Sequence, residues 1–296
     1  MRKIYFTIIL LLGAMVTLAY LYFSKLNRDT NNSEIALYAA TAKSGLIFCF
    51  QNEKGIVDLL SSQELLQRLI PNQQLHALEA LQQKLLNIPE INSLTNKEMI
   101  YLSFMPDDNK TITFLISTQI NEKLEGEALF DLLRTKGIKV EKLDNFSKIS
   151  TSDSSSFYLA QKNNLLLLSP SFRTISEGLR TIDMKKNADF IAYINSSHKQ
   201  NRNNLAALYV NFNELEGLAA AISPDRFRTI LPFFNQQNAF GNFSYSFSKS
   251  RILFNGSTNI NKENNYLHLF ASKADSKMSI NAILPAQTAS YTMYST

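Results

Sequence analysis

The chain has 296 residues, 45% of them hydrophobic, a formal charge of +5 and a single cysteine. That hydrophobic share excludes wholesale disorder, and one cysteine excludes an intrachain disulfide. Without Arg2 and Lys3 the balance is 28 basic against 25 acidic residues; the longest basic run is Lys185-Lys186, so no clustered footprint points to nucleic acid.

Ile4–Phe23 is a run of twenty residues without a charge. At about 1.5 Å per residue a helix of that length covers about 30 Å, the thickness of a bilayer's hydrocarbon core. Arg2 and Lys3 precede it, and Lys25 and Arg28 follow in a polar run. A cleaved secretory signal would have an apolar core of only about 7–15 residues and a small-residue cleavage site after it. Here the best cleavage-like triplet, Thr17-Leu18-Ala19, lies inside the run and is followed by Tyr20, Leu21, Tyr22 and Phe23. The preferred reading is an uncleaved signal-anchor over residues 1–24, with the N-terminus in the cytoplasm and residues 4–23 in the bilayer. A cleaved signal and a buried core helix are the alternatives. A lipoprotein anchor would need a cysteine at the end of the run, and Cys49 is the only cysteine.

Residues 25–33 are polar and read as a stalk. Ile35-Ala36-Leu37-Tyr38 reads as a strand that Gly45 ends, and Leu46–Gln51 as a second strand. Gly55–Ile70 carries apolar residues at helical spacing up to Pro71. Asn72 opens another helix with Leu75, Leu78, Leu81, Leu85 and Ile88 on one face, so a helical hairpin is expected. From Met99 the period becomes two: Met99–Met105 and Thr111–Gln119 form a hairpin around Pro106–Lys110. Glu125–Thr135 is a predicted helix with Gly137 as its stop. Short strands follow at Ile138–Leu143, Ser147–Thr151, Ser156–Gln161 and Leu165–Ser169, with a tight turn at Asn163-Asn164. The unbroken leucines 165–168 predict a strand covered on both faces. Helices are predicted over Ser171–Ile182 and Ala188–Ser196, a loop over His198–Asn204, a strand over Leu205–Phe212, and helices over Asn213–Ile222 and Pro224–Leu231. Strands over Ala239–Phe247, Ile252–Asn259 and Tyr266–Ala271 close the chain as a meander.

Chemistry-bearing patterns are few. His76, His198 and His268 are scattered, and none has a His or Cys partner at metal-ligand spacing. Ser-x-x-Lys, which can mark a serine nucleophile with a lysine base, occurs at Ser196–Lys199 and Ser246–Lys249, at the frequency composition alone predicts. Asp107-Asp108 reads as turn chemistry, Cys49 as a small buried hydrophobe within an apolar strand, and Phe240–Phe247 as sheet core. No glycine-rich phosphate loop is present. No catalytic, cofactor-binding or metal residue is therefore assigned, and no cofactor.

The expected fold class is α+β: an N-terminal transmembrane helix, then one or two antiparallel sheets with inserted helix pairs, forming one extracytoplasmic domain over residues 34–281. Ala36-Leu37-Tyr38 at the domain start is echoed by Leu284-Pro285-Ala286-Gln287-Thr288-Ala289-Ser290-Tyr291, so residues 282–296 are expected to begin a second repeat of a longer chain. One span, a polar stalk and these two stretches together resemble a group of bacterial envelope proteins of unknown function, anchored once and carrying repeated α+β domains outside the cytoplasm. The resemblance implies layout and compartment, the bacterial inner membrane facing the periplasm, and no activity. The expectation is a non-enzymatic binding or scaffold module with an envelope protein as partner. The alternatives are a carrier or sensor of an apolar ligand, held between the aromatic sheet and the helical hairpin, and last a Ser/Lys envelope hydrolase.

Overall fold

Two apolar surfaces back to back on one sheet organise the chain. The computed structural model describes residues 15–18, 20, 35–51, 72–86, 88–95, 98–107, 111–120, 126–150, 155–184, 186–198, 206–222, 239–248 and 251–260, some by backbone alone. Ten strands are present among them: β1 Leu46–Gln51, β2 Met99–Pro106, β3 Ile112–Gln119, β4 Lys139–Lys142, β5 Ser147–Ser150, β6 Ser156–Lys162, β7 Leu165–Ser169, β8 Ala206–Asn211, β9 Ala239–Ser248 and β10 Arg251–Ile260. They form a single sheet in the order β10-β9-β8-β1-β2-β3-β7-β6-β5-β4, with every neighbouring pair antiparallel. Among the described residues the expected one or two sheets are therefore one.

Strand alternation assigns the side chains to the two faces. The first face carries Phe48, Leu102, Phe114, Ile116, Leu166 and Leu168. The second carries Ile47, Cys49, Tyr101, Leu115, Leu165 and Leu167. All five residues of β7 are buried, as the unbroken leucines predict, because helices lie on both sides of it. On the first face sit α2 (Asn72–Leu81, continuing as a π-helical turn over Gln82–Leu86), α3 (Pro89–Leu94), α4 (Gly126–Thr135) and α7 (Phe212–Ile222). They deliver Leu78, Leu81, Leu85, Ile91, Leu129, Leu133 and Leu218 to its core. On the second face sit α1 (residues 35–40), α5 (Phe172–Met184) and α6 (Ala188–His198). The helix α3 has no counterpart in the sequence reading; Pro89 opens it at a first-turn position, where the missing N–H costs nothing.

Two expectations are corrected. Residues 35–40 are a helix and not a strand. Both edges of β1 are taken, by β2 and β8, so the preceding segment must lie across a face. Ala36, Leu37, Ala39 and Ala40 are all buried there. Their small size allows close approach to the sheet, and alanine favours the helix. The Ser117 hydroxyl donates to the Ala36 carbonyl at 2.8 Å, and the Ser44 hydroxyl to the Ala40 carbonyl at 2.6 Å. His198 is the last residue of α6 and not the start of a loop. The apolar spacing that begins at Phe190 carries the helix through Ile191 and Ile194.

The predicted helices over Gly55–Ile70 and Pro224–Leu231, the strand over Tyr266–Ala271, the stalk at 25–33 and the stretch 282–296 lie outside the described residues. Of the predicted span Ile4–Phe23, Met15–Leu18 and Tyr20 are described; they are helical and exposed. No helix among the described residues is long and apolar enough to cross a membrane.

The topology contains an internal correspondence. The path β1, helices, β2, β3 is matched by β8, α7, β9, β10, and the two groups flank the central β1–β8 pair in mirror-image strand order. Phe48 faces Leu208 across that seam. Moving outward, Leu102 and then Ile116 on one side correspond to Phe243 and then Gly256 on the other. This is a pseudo-two-fold perpendicular to the sheet. At Gly256 a Cβ would run into the Asn242 carbonyl and the Phe243 backbone, so the close approach of β9 and β10 requires glycine.

Candidate functional site

Sites are built where side-chain chemistry and space coincide, and the second face of the sheet has the chemistry. Across β3, β2, β1, β8 and β9 runs the row Ser117, Tyr101, Cys49, Ala207, Ser244; beside it runs Leu115, Ser103, Ile47, Tyr209, Asn242. Cys49 and Tyr101 are fully buried and hydrogen-bonded to one another; burial pushes the thiol far above its ordinary value, against the smaller lowering effect of the Tyr101 hydroxyl. Burial likewise pushes Tyr101 and Tyr209 up. These groups are neutral at any physiological pH. A thiol held protonated and away from solvent is not a nucleophile. Helices α1 and α6 close the row off, and the Tyr193 hydroxyl on α6 donates to the Ser257 carbonyl of β10 at 3.1 Å.

The patterns singled out in the sequence do not assemble. His76 is exposed on α2 with Nδ1 3.6 Å from Glu79 Oε2; His198 ends α6, and His268 lies outside the described residues. Ser196 donates its hydroxyl to the Tyr193 carbonyl at 2.8 Å, and Ser246 is in β9; Lys199 and Lys249 lie outside the described residues. Asp107 closes the β2–β3 connection through its N–H on the Thr111 carbonyl at 2.7 Å, and Asp108 lies outside. Phe243 of the aromatic strand packs on the first-face core. Among the described residues no group of three His, Cys, Asp or Glu could hold a metal ion. Leu78, Leu81 and Leu85 are buried against the sheet; a cleft lies elsewhere.

That cleft, of about 780 Å³, is at the β4–β5 hairpin. It exists because two neighbouring strands stop at different places. β5 begins at Ser147, opposite Leu159, while β6 continues to Lys162 alongside β7. The hairpin turn, closed by the Leu143 N–H on the Phe146 carbonyl at 2.9 Å, peels away and leaves a gap. Phe130, Leu159 and Leu179 form apolar walls. Phe146 lines the cleft and is braced by Tyr158, with ring centroids 5.7 Å apart, and by Phe172 at 6.5 Å. Lys142 Nζ sits 5.9 Å over the Phe130 ring and pairs with Glu127; Lys162 pairs with Asp183 at 2.5 Å. A volume in this range suits a small-molecule ligand.

The sequence reading missed this cleft. Its one available signal is Leu143-Asp144-Asn145-Phe146: a turn flanked by two large apolar residues, of which Leu143 is 42% exposed.

Compared with known proteins, the chain matches no family model, no curated protein and no solved structure.

Proposed function

We propose that this protein is a single-span, membrane-anchored envelope protein whose α+β domain lies outside the cytoplasm and acts as a non-enzymatic binding or scaffold module. The observation that carries the anchor is Ile4–Phe23: twenty residues without a charge, behind Arg2 and Lys3. The binding reading is supported by a fold whose buried thiol and tyrosines are held neutral, and by a cleft lined by aromatic, amide and paired ionic groups. The partner class in this reading is another envelope component, with no nucleic acid and no cofactor.

The test is fractionation of the full chain. It should sediment with membranes, resist alkaline carbonate and be cut by protease added from the periplasmic side. A variant lacking residues 1–24, expressed with a separate cleavable signal, should become soluble. A full chain that carbonate releases sinks the anchor; a chain that protease reaches only from the cytoplasmic side sinks the orientation. Crosslinking in intact cells should capture an envelope partner.

A further inference from the structure

We infer that the cleft at the β4–β5 hairpin is a binding site for a neutral oligosaccharide, with a pyranose ring packed on Phe146. The inference rests on the reading of this domain as a binding module and names what it binds.

Three features of the cleft select this chemistry. The first is the aromatic wall. Phe146 is fixed in place by Tyr158 and Phe172, which stand 6.0 Å from one another, so the three rings form one braced unit. Of the three, Phe146 lines the cleft, and Phe172 stacks on it from outside. A pyranose presents a face of C–H groups that packs against such a ring, whereas a flexible aliphatic wall offers no matching plane.

The second feature is the polar rim. Asn145 and Asn163 each offer a donor and an acceptor, and Asp144 offers acceptors. A sugar hydroxyl is donor and acceptor at once, and satisfying it takes neighbours of both kinds. A purely apolar ligand would strip water from these groups and return no hydrogen bond.

The third feature is charge. Lys142 and Lys162 are balanced within the cleft by Asp144 and Asp183. Both ammonium groups are already engaged, by Glu127 and Asp183 respectively. An anionic ligand would have to pull them away while facing the carboxylates. The site therefore favours an uncharged ligand.

The experiment is a titration of the full chain in detergent with three tetrasaccharides: the β-1,4-linked tetramers of N-acetylglucosamine and of glucose, and maltotetraose. Calorimetry reads binding, and thermal melting by circular dichroism verifies that each variant is folded. At least one tetramer should saturate the protein. Phe146→Ala should weaken it about tenfold, the loss of one aromatic stacking contact. Asn145 is exposed in the turn, so Asn145→Ala reports on the rim without touching the core, and should weaken binding about threefold, as expected for one hydrogen bond.

The inference is overturned if no tetramer binds more tightly than about 10 mM. It is overturned equally if the folded Asn145→Ala variant binds as well as the parent. Binding that collapses between about 0.05 and about 0.5 M salt would show anionic groups being read instead, and displacement of the sugar by an uncharged extended tripeptide would show a peptide groove. Captured partners without sugar binding would remove this inference alone and leave the module reading standing; carbonate release of the chain would remove the anchor and leave the sugar site standing.

Discussion

Cys49 lies on the central strand of the sheet, beneath α1 and α6, hydrogen-bonded to Tyr101 across the β1–β2 pair. Burial pushes its thiol upward, so a thiol reagent at neutral pH should leave the native protein untouched and label one equivalent after unfolding. Rapid labelling of the folded chain would show that the second face opens. Neighbouring hydroxyls divide into two kinds. Ser117 donates to the Ala36 carbonyl and ties α1 to β3. Ser103 is fully buried and its hydroxyl finds no hydrogen-bond partner among the described residues. Ser117→Ala should therefore lower stability by about 1 kcal/mol, while Ser103→Ala should leave it unchanged or raise it slightly, as measured by denaturant midpoints. Equal losses in the two variants would contradict this division. Both are serines on the same face of neighbouring strands, β2 and β3; only the position of the α1 backbone separates them.

Helix α5 shows how an element is held and how far its sequence reveals that. Ile175 and Gly178 face the sheet, and a Cβ at Gly178 would come within 3.1 Å of Leu115 Cδ2. On the outer side Arg180 clasps Glu177 at 2.6 Å. The Arg180 guanidinium holds the Glu177 carboxyl below its ordinary value, helped by Lys43 and opposed by partial burial. A carboxyl lowered in the folded state contributes stability above its unfolded range and loses it as pH falls through the lowered value. The Tm gap between the parent and Glu177→Gln should therefore be present at neutral pH and close on acidification; a gap that widens toward acid would reverse the sign. The effect is small because the pair is at the surface. The periodicity of α5 made it legible, as did the alternation of β2, β3 and β6. The helix α1 was not legible, because Ile-Ala-Leu-Tyr fits a short strand as well as a helical turn. What decides between them is that β1 already has two neighbours, a fact of the whole sheet. The cleft escaped for a related reason: it is a mismatch in strand length, visible only once β5 and β6 are paired.

At the scale of the whole molecule the β1–β8 seam joins two similar three-strand groups, β1-β2-β3 and β8-β9-β10, the first of them continued by β7-β6-β5-β4. The sequence pointed to repetition at residues 282–296, through a short echo of Ala-x-Tyr. The structure shows a correspondence carried by topology inside residues 46–260, where strand order repeats and side chains do not. Leu102 matches Phe243 and Ile116 matches Gly256 in position, so the likeness leaves no trace in a residue-by-residue reading. Each side of the seam depends on the other to cover a central edge. A fragment ending at residue 200, before β8, should associate with itself in the same detergent in which the full chain is monodisperse, as read by light scattering. A monodisperse fragment with native-like exchange protection at β1 would show that the seven-strand part stands alone.

The seam also sets a timetable. Phe48 waits for Leu208, 160 positions later in the chain. At a synthesis rate of about 5–20 residues per second, the inner edge of β1 stays uncovered for roughly 10–30 s. During that interval an apolar strand, Leu46-Ile47-Phe48-Cys49-Phe50, is open to pairing with any other extended segment. Newly made chain should therefore lean on a holding chaperone until β8 arrives, and crowding several nascent copies on one message should be the condition under which this fold fails.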